Sequence, residues 1–120
     1  MPDTSYGFIG LGNMGGPMCT NLCAAGIVPT VFDAAGTAAR APDGAAVADS
    51  VAAVAQQDTV FLSLPDGRIV ASVCDEIINA ADRRVSTVVD FSTTGPEAAR
   101  EIGARLKHAG ITFVDAPGSG

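Results

Sequence analysis

Three glycines in Gly10-Leu11-Gly12-Asn13-Met14-Gly15 stand at the spacing GxGxxG, which suits a bend built to receive phosphate. Gly10 permits a tight turn. Gly12 leaves out the side chain that would hold a pyrophosphate away from the backbone, and Gly15 lets the next helix pack closely on its strand. The unpaired N–H groups of that helix start face the phosphates, and the helix dipole adds to the attraction. Glycine is common here, 14 of 120 residues, so the pattern gains meaning only if it follows a strand and opens a helix.

Asp33 supplies a second chemical group, eighteen positions after Gly15. A carboxylate ending the neighbouring strand can accept hydrogen bonds from the adenosine ribose hydroxyls and would repel a 2′-phosphate. No Arg or Lys occurs in the next six residues to offset that charge, so these residues favour NAD over NADP. Leu64-Pro65 and Ser92-Thr93-Thr94 should end later strands beside the same crevice. There, backbone at Leu64 and Pro65 and the hydroxyls of Thr93 or Thr94 could contact the second ribose or the nicotinamide. The threonines could equally cap a helix.

The elements that must position these groups alternate along the chain. Tyr6 to Ile9 is apolar and runs into the glycine bend, as a buried strand would. Asn13 to Ala25 carries Met14, Met18, Leu22 and Ala25 at helical spacing, and Gly26 can end that helix. Val28 to Phe32 reads as a second strand with Pro29 at its entry, and Ala45 to Ala48 as a short third. Asp49 or Ser50 could cap a helix reaching about Gln56. Thr59 to Leu64 is the clearest strand, and Pro65-Asp66-Gly67 breaks it. Arg68 to about Ala81 suits a helix with Ile69, Val73, Ile77 and Ala80 on one face. Ser86 to Phe91 is a strand, and Glu97 to Ala109 a helix with Thr94 as candidate cap and Pro96 in its first turn. Ile111 to Val114 is a last strand, followed by a loop from Asp115 to Gly120. This order predicts a Rossmann-type α/β fold, a doubly wound parallel sheet in three layers forming one domain over residues 1–120.

Composition narrows the function classes. Hydrophobic residues make up 48 % of the chain, enough for a core, and the net charge of -6 argues against nucleic acid as a partner. No apolar run is long enough to cross a membrane, and no secretory leader is evident. With three cysteines, an odd count, and no CxxC, a reduced cytoplasmic setting is expected. Cys19 and Cys23 share a helix face without metal-spaced partners, so no metal site is expected. Lys107 and His108, the sole residues of their types, sit where cations complement a helix C-terminus.

The stretch from Phe8 to Met18, FIGLGNMGGPM, resembles the opening signature of the β-hydroxyacid dehydrogenases, the family of 3-hydroxyisobutyrate and 6-phosphogluconate dehydrogenases. Leu64-Pro65-Asp66 is similar to that family's Leu-Pro turn, and Asp90-Phe91-Ser92-Thr93-Thr94 with Pro96 to its next segment. Asp115-Ala116-Pro117-Gly118-Ser119-Gly120 resembles its substrate motif, with Gly118 where Val is usual. The resemblance implies reversible oxidation of a small β-hydroxyacid by hydride transfer to NAD. Ser119 and Gly120 would hold the substrate carboxylate. It also implies a catalytic Lys, and an all-helical second domain that shapes the substrate pocket and a homodimer. All of these lie beyond residue 120. The chain is therefore expected to bind the nicotinamide dinucleotide without turnover, as part of a longer enzyme. Three other readings stand beside this one: the cofactor domain of an imine reductase-like enzyme, a stand-alone NAD-sensing module, and a flavodoxin-like binding module. The sensing module would have a sealed surface, whereas a part of a larger enzyme would expose apolar residues near Ile111 to Val114.

Overall fold

A computed structural model describes residues 5–11, 15–34, 36, 41 and 43–116. Six short strands run in chain order as β1 (Tyr6–Ile9), β2 (Thr30–Phe32), β3 (Ala46–Val47), β4 (Thr59–Leu62), β5 (Thr87–Asp90) and β6 (Thr112–Asp115). Among the described residues, four helices stand between strands: α1 (Gly15–Ala24), α2 (Val51–Val54), α3 (Gly67–Asn79) and α4 (Pro96–His108). All pairings are parallel, in the order β3-β2-β1-β4-β5-β6. The chain therefore reverses its direction of travel across the sheet between β1 and β4, and a crevice opens there at the carboxyl ends of the strands.

Each face of the sheet has its own core, because alternate side chains of a strand point to opposite sides. Val60, Leu62, Val88 and Ile9 pack with Val54, Val70, Val73, Ile77, Ile102 and Leu106 from α2, α3 and α4. Phe8 and Val31 face the other way and pack with Cys19 of α1 and with Leu11. Tyr6, Phe8 and Phe91 contact the Phe61 ring on that second side, at centroid distances of 5.8–5.9 Å. Gly7 is needed on the first side, since a Cβ there would lie 2.4 Å from Val54 Cγ1.

The helix boundaries follow local chemistry. Ser50 Oγ accepts the Ala53 N–H and starts α2, while Asp66 accepts the Ile69 N–H and starts α3. The face of α3 that meets the sheet differs by part of a turn from the one expected from the apolar spacing. Val70, Val73, Cys74 and Ile77 are buried, whereas Ile69 is 38 % exposed. In α1 the buried residues are Gly15 and Cys19, with Met18 and Leu22 flanking, so its inward stripe lies one residue later than the apolar spacing predicts. The cause is Gly15, which brings the helix start against β1. Thr94 does not cap α4. Gly95 holds the N-cap position, without a side-chain cap, and Pro96 begins the helix as expected.

Two polar clasps close the end of the sheet away from the crevice. Asp58 accepts from the Ser5 N–H, and its own N–H donates to Ser5 Oγ. Arg83 donates to the Ile78 carbonyl at the end of α3 and to the Ala109 carbonyl at the end of α4. A further ion pair joins Arg105 of α4 to Asp75 of α3. Around the expected apolar patch, Ile111 is buried and Phe113 half-buried, while Val114 on the edge strand is 41 % exposed. No helix among the described residues is long and apolar enough to cross a membrane.

All three cysteines are free, and two are buried. Burial pushes the thiols of Cys19 and Cys74 up to about 12. For Cys19 the neighbouring Cys23 adds to this; for Cys74 the Asp90 charge adds and Arg105 opposes. A thiol neutral in the fold but ionisable above about 9 when unfolded favours unfolding as protons become scarce. The stability contribution is whole below that value and lost as pH rises from 9 to about 12. Urea midpoints should thus fall steadily above pH 9 and flatten in a Cys19→Ala/Cys74→Ala variant compared with its own neutral-pH value. An unchanged slope in that variant would assign the alkaline loss to other groups.

Candidate functional site

The bend after β1 is built by backbone pressed on backbone. Gly10 continues the ladder by donating its N–H to the Phe32 carbonyl at 3.0 Å, then turns with φ of 95°. A Cβ at Gly10 would fall 2.0 Å from the Ser63 carbonyl oxygen, and one at Gly15 would fall 2.0 Å from the Gly10 carbonyl oxygen. Neither neighbour can swing aside, because both are main chain. The start of α1 is thereby held against the end of β1, its dipole directed at the crevice.

Asp33, at the end of β2, turns toward this bend: its carboxylate accepts the Leu11 N–H at 2.7 Å. Carboxylate and glycine bend therefore form one unit, and a carboxylate can accept several hydrogen bonds at once. A cleft of about 920 Å³ opens over the ends of β1, β2, β4 and β5. That size lies near the upper end of small-molecule sites, roughly 300–1,000 Å³. Of the residues singled out from sequence, Gly10, Asp33, Leu64, Pro65 and Thr93 line it. Leu11 and Gly15 lie behind it as supports, both buried. Thr94 is absent from the lining, and its hydroxyl donates to Asp90. Gly12, Asn13, Met14, Ser119 and Gly120 lie outside the described residues.

Other residues line the cleft for which the sequence suggests no contact role, Ser92 having been placed only at the strand end beside it. Ile69 and Val73 present an apolar wall from α3, and Glu76, one turn on, adds a carboxylate to it, joining Asp33 and Asp49 in the lining. Ser92 also lines the cleft, with its hydroxyl accepting the Leu64 N–H at 2.7 Å. The signal for Ser92 was present: Asp90, Ser92 and Thr94 alternate, the spacing at which an Asp side chain gathers nearby backbone and hydroxyl donors. Among the described residues no group of three or more His, Cys, Asp or Glu is placed to hold a metal.

Fold and cleft together define a dinucleotide-binding domain of Rossmann type. The family model described as the NAD binding domain of 6-phosphogluconate dehydrogenase matches residues 5–120, and the chain belongs to that family. A 3-hydroxyisobutyrate dehydrogenase of Pseudomonas aeruginosa is 38 % identical over 122 residues, a match spanning 98 % of this chain and 41 % of the relative. The solved structure of Mycobacterium tuberculosis 3-hydroxyisobutyrate dehydrogenase with L-serine is similar at TM-score 0.86 and 40 % identity, covering 99 % of this chain and 42 % of that one. An imine reductase of Streptomyces aurantiacus follows at TM-score 0.77 and 30 % identity, covering 92 % and 39 %. The chain thus spans about two fifths of the length of the relatives it matches.

The tight approach at Gly10 predicts a clear mutational asymmetry. Gly10→Ala and Gly26→Ala both place a side chain at positive φ, which costs about 1–2 kcal/mol. Only Gly10 adds a backbone collision, since nothing lies within 4 Å of a Cβ at Gly26. Urea denaturation should show the Gly10 variant less stable than the Gly26 variant by about 1–3 kcal/mol more. Equal losses would mean the bend has room to spare.

Proposed function

We propose that this chain binds NAD across the crevice between β1 and β4, as the cofactor domain of an oxidoreductase acting on a small β-hydroxyacid of the 3-hydroxyisobutyrate kind. The observation that carries the reading is the bond from the Leu11 N–H to Asp33, which ties the strand-end carboxylate to the phosphate bend. The cradle fits the cofactor, because a Cβ at Gly10 or Gly15 would collide with main chain and close the bend.

In this arrangement the start of α1 receives the pyrophosphate and Asp33 accepts the adenosine ribose hydroxyls. The acidic wall, Asp33 with Glu76 and Asp49, disfavours a 2′-phosphate. Leu64, Pro65 and Thr93 border the nicotinamide end, and Gly12, Asn13 and Met14 are further cofactor-binding residues by their place in the GxGxxG motif. When bound, NAD supplies a hydride acceptor at the nicotinamide ring. Ser119 and Gly120 hold the substrate carboxylate. In the whole enzyme a proton-transferring Lys, an all-helical domain and a homodimer contact complete the substrate site. An imine-reducing enzyme is the second reading, supported by the structural likeness at 30 % identity.

Calorimetric titration should show saturable NADH binding and at least tenfold weaker NADPH binding. Asp33→Ala should weaken NADH by about tenfold, the worth of a charge-assisted hydrogen bond, and narrow the gap to NADPH. No saturation by NADH at millimolar concentration would overturn the reading. Equal affinity of the wild-type chain for both cofactors would overturn the role given to Asp33.

A further inference from the structure

Asp90 is 0 % exposed at the end of β5. A buried carboxylate is costly unless its oxygens are satisfied. Here Oδ1 accepts the Ser92 N–H at 2.9 Å and Oδ2 accepts the Thr94 hydroxyl. Ser92, drawn in by the first bond, is 4 % exposed, and its Oγ accepts the Leu64 N–H at 2.7 Å. The two loops touch again at Gly67, where a Cβ would lie 2.7 Å from the Thr94 carbonyl oxygen. One side chain below the cleft floor therefore fixes both the loop after β4 and the loop after β5. Those loops supply Leu64, Pro65, Ser92 and Thr93 to the lining.

We propose that Asp90 is a positioning residue that, through Ser92 and Thr94, preorganises these two loops to receive the nicotinamide half of the dinucleotide. This rests on the NAD-binding reading above. A dinucleotide crossing the switch point places its adenosine half over β1 and β2, beside Asp33, and its other half over β4 and β5. Preorganisation matters because ordering a loop on binding subtracts from affinity. Bonds made within the fold itself, from Asp90 to Ser92 and Thr94 and from Ser92 to Leu64, place that cost on folding rather than on binding.

The test uses the 120-residue chain with NADH and 5′-AMP as probes, the latter lacking the nicotinamide half. Thr94→Val keeps the shape but removes the hydroxyl on Asp90, and Ser92→Ala removes the acceptor for Leu64. Thr94→Ser retains a hydroxyl and serves as the rescue. Measured well below each thermal midpoint, Thr94→Val and Ser92→Ala should bind NADH about tenfold more weakly, with 5′-AMP binding within twofold of wild type. Thr94→Ser should bind both like wild type. A purely structural role would lower the thermal midpoint while leaving NADH affinity intact, and that result would overturn the proposal. So would equal losses for NADH and 5′-AMP.

Should both variants fail to fold, hydrogen exchange on the wild-type chain decides. The Leu64 and Ser92 amides should be protected before NADH is added and gain little afterwards. Protection that appears only with NADH would refute preorganisation. A wild-type chain that binds no NADH would instead refute the cofactor reading, and the positioning role with it.

Discussion

The structure depends on main chain meeting main chain where β1 gives way to α1. Two carbonyl oxygens, those of Ser63 and Gly10, occupy the space that side chains at Gly10 and Gly15 would need. Such contact cannot relax by a rotamer change, so it fixes the first helix relative to both central strands. Everything at the crevice inherits that placement: the direction of the α1 dipole, the distance to Asp33, and the gap between the ends of β1 and β4. Asp33 completes the unit by accepting the Leu11 N–H.

Two kinds of interaction then divide the work on either side of the switch point. Around β1 and β2, geometry comes from missing side chains and one carboxylate. Around β4 and β5, it comes from a buried polar network rooted at Asp90, which passes through Ser92 and Thr94. The apolar cores beneath supply stability without specifying a ligand. The large core lies on the sheet face covered by α2, α3 and α4, and the smaller one on the face covered by α1.

Much of this was legible in the sequence because its signals are local. The apolar runs 59–64 and 86–91 marked strands, Ser50 and Pro96 marked helix starts, and Gly26 and Gly110 marked helix ends with positive φ. The parallel direction of the strands followed from alternation of strand and helix. Less legible were features that depend on contact between distant segments. Nothing near Gly7 announces the approach of Val54, 47 positions later, and the exposure of Ile69 follows from the core taking Val70, Val73, Cys74 and Ile77 instead. Thr94 read as a cap because its spacing before Pro96 allows it. The competing acceptor was Asp90, four residues earlier, in the reach of the same hydroxyl.

Arg83 deserves a mechanical reading. Its guanidinium spans the last carbonyls of two neighbouring helices, at Ile78 and Ala109. Helix ends normally fray independently, each losing its own terminal bonds at little cost. With one cation shared between them, a thermal fluctuation that loosens either terminus also releases an acceptor on the other. The back of the domain should therefore breathe as a pair of coupled springs.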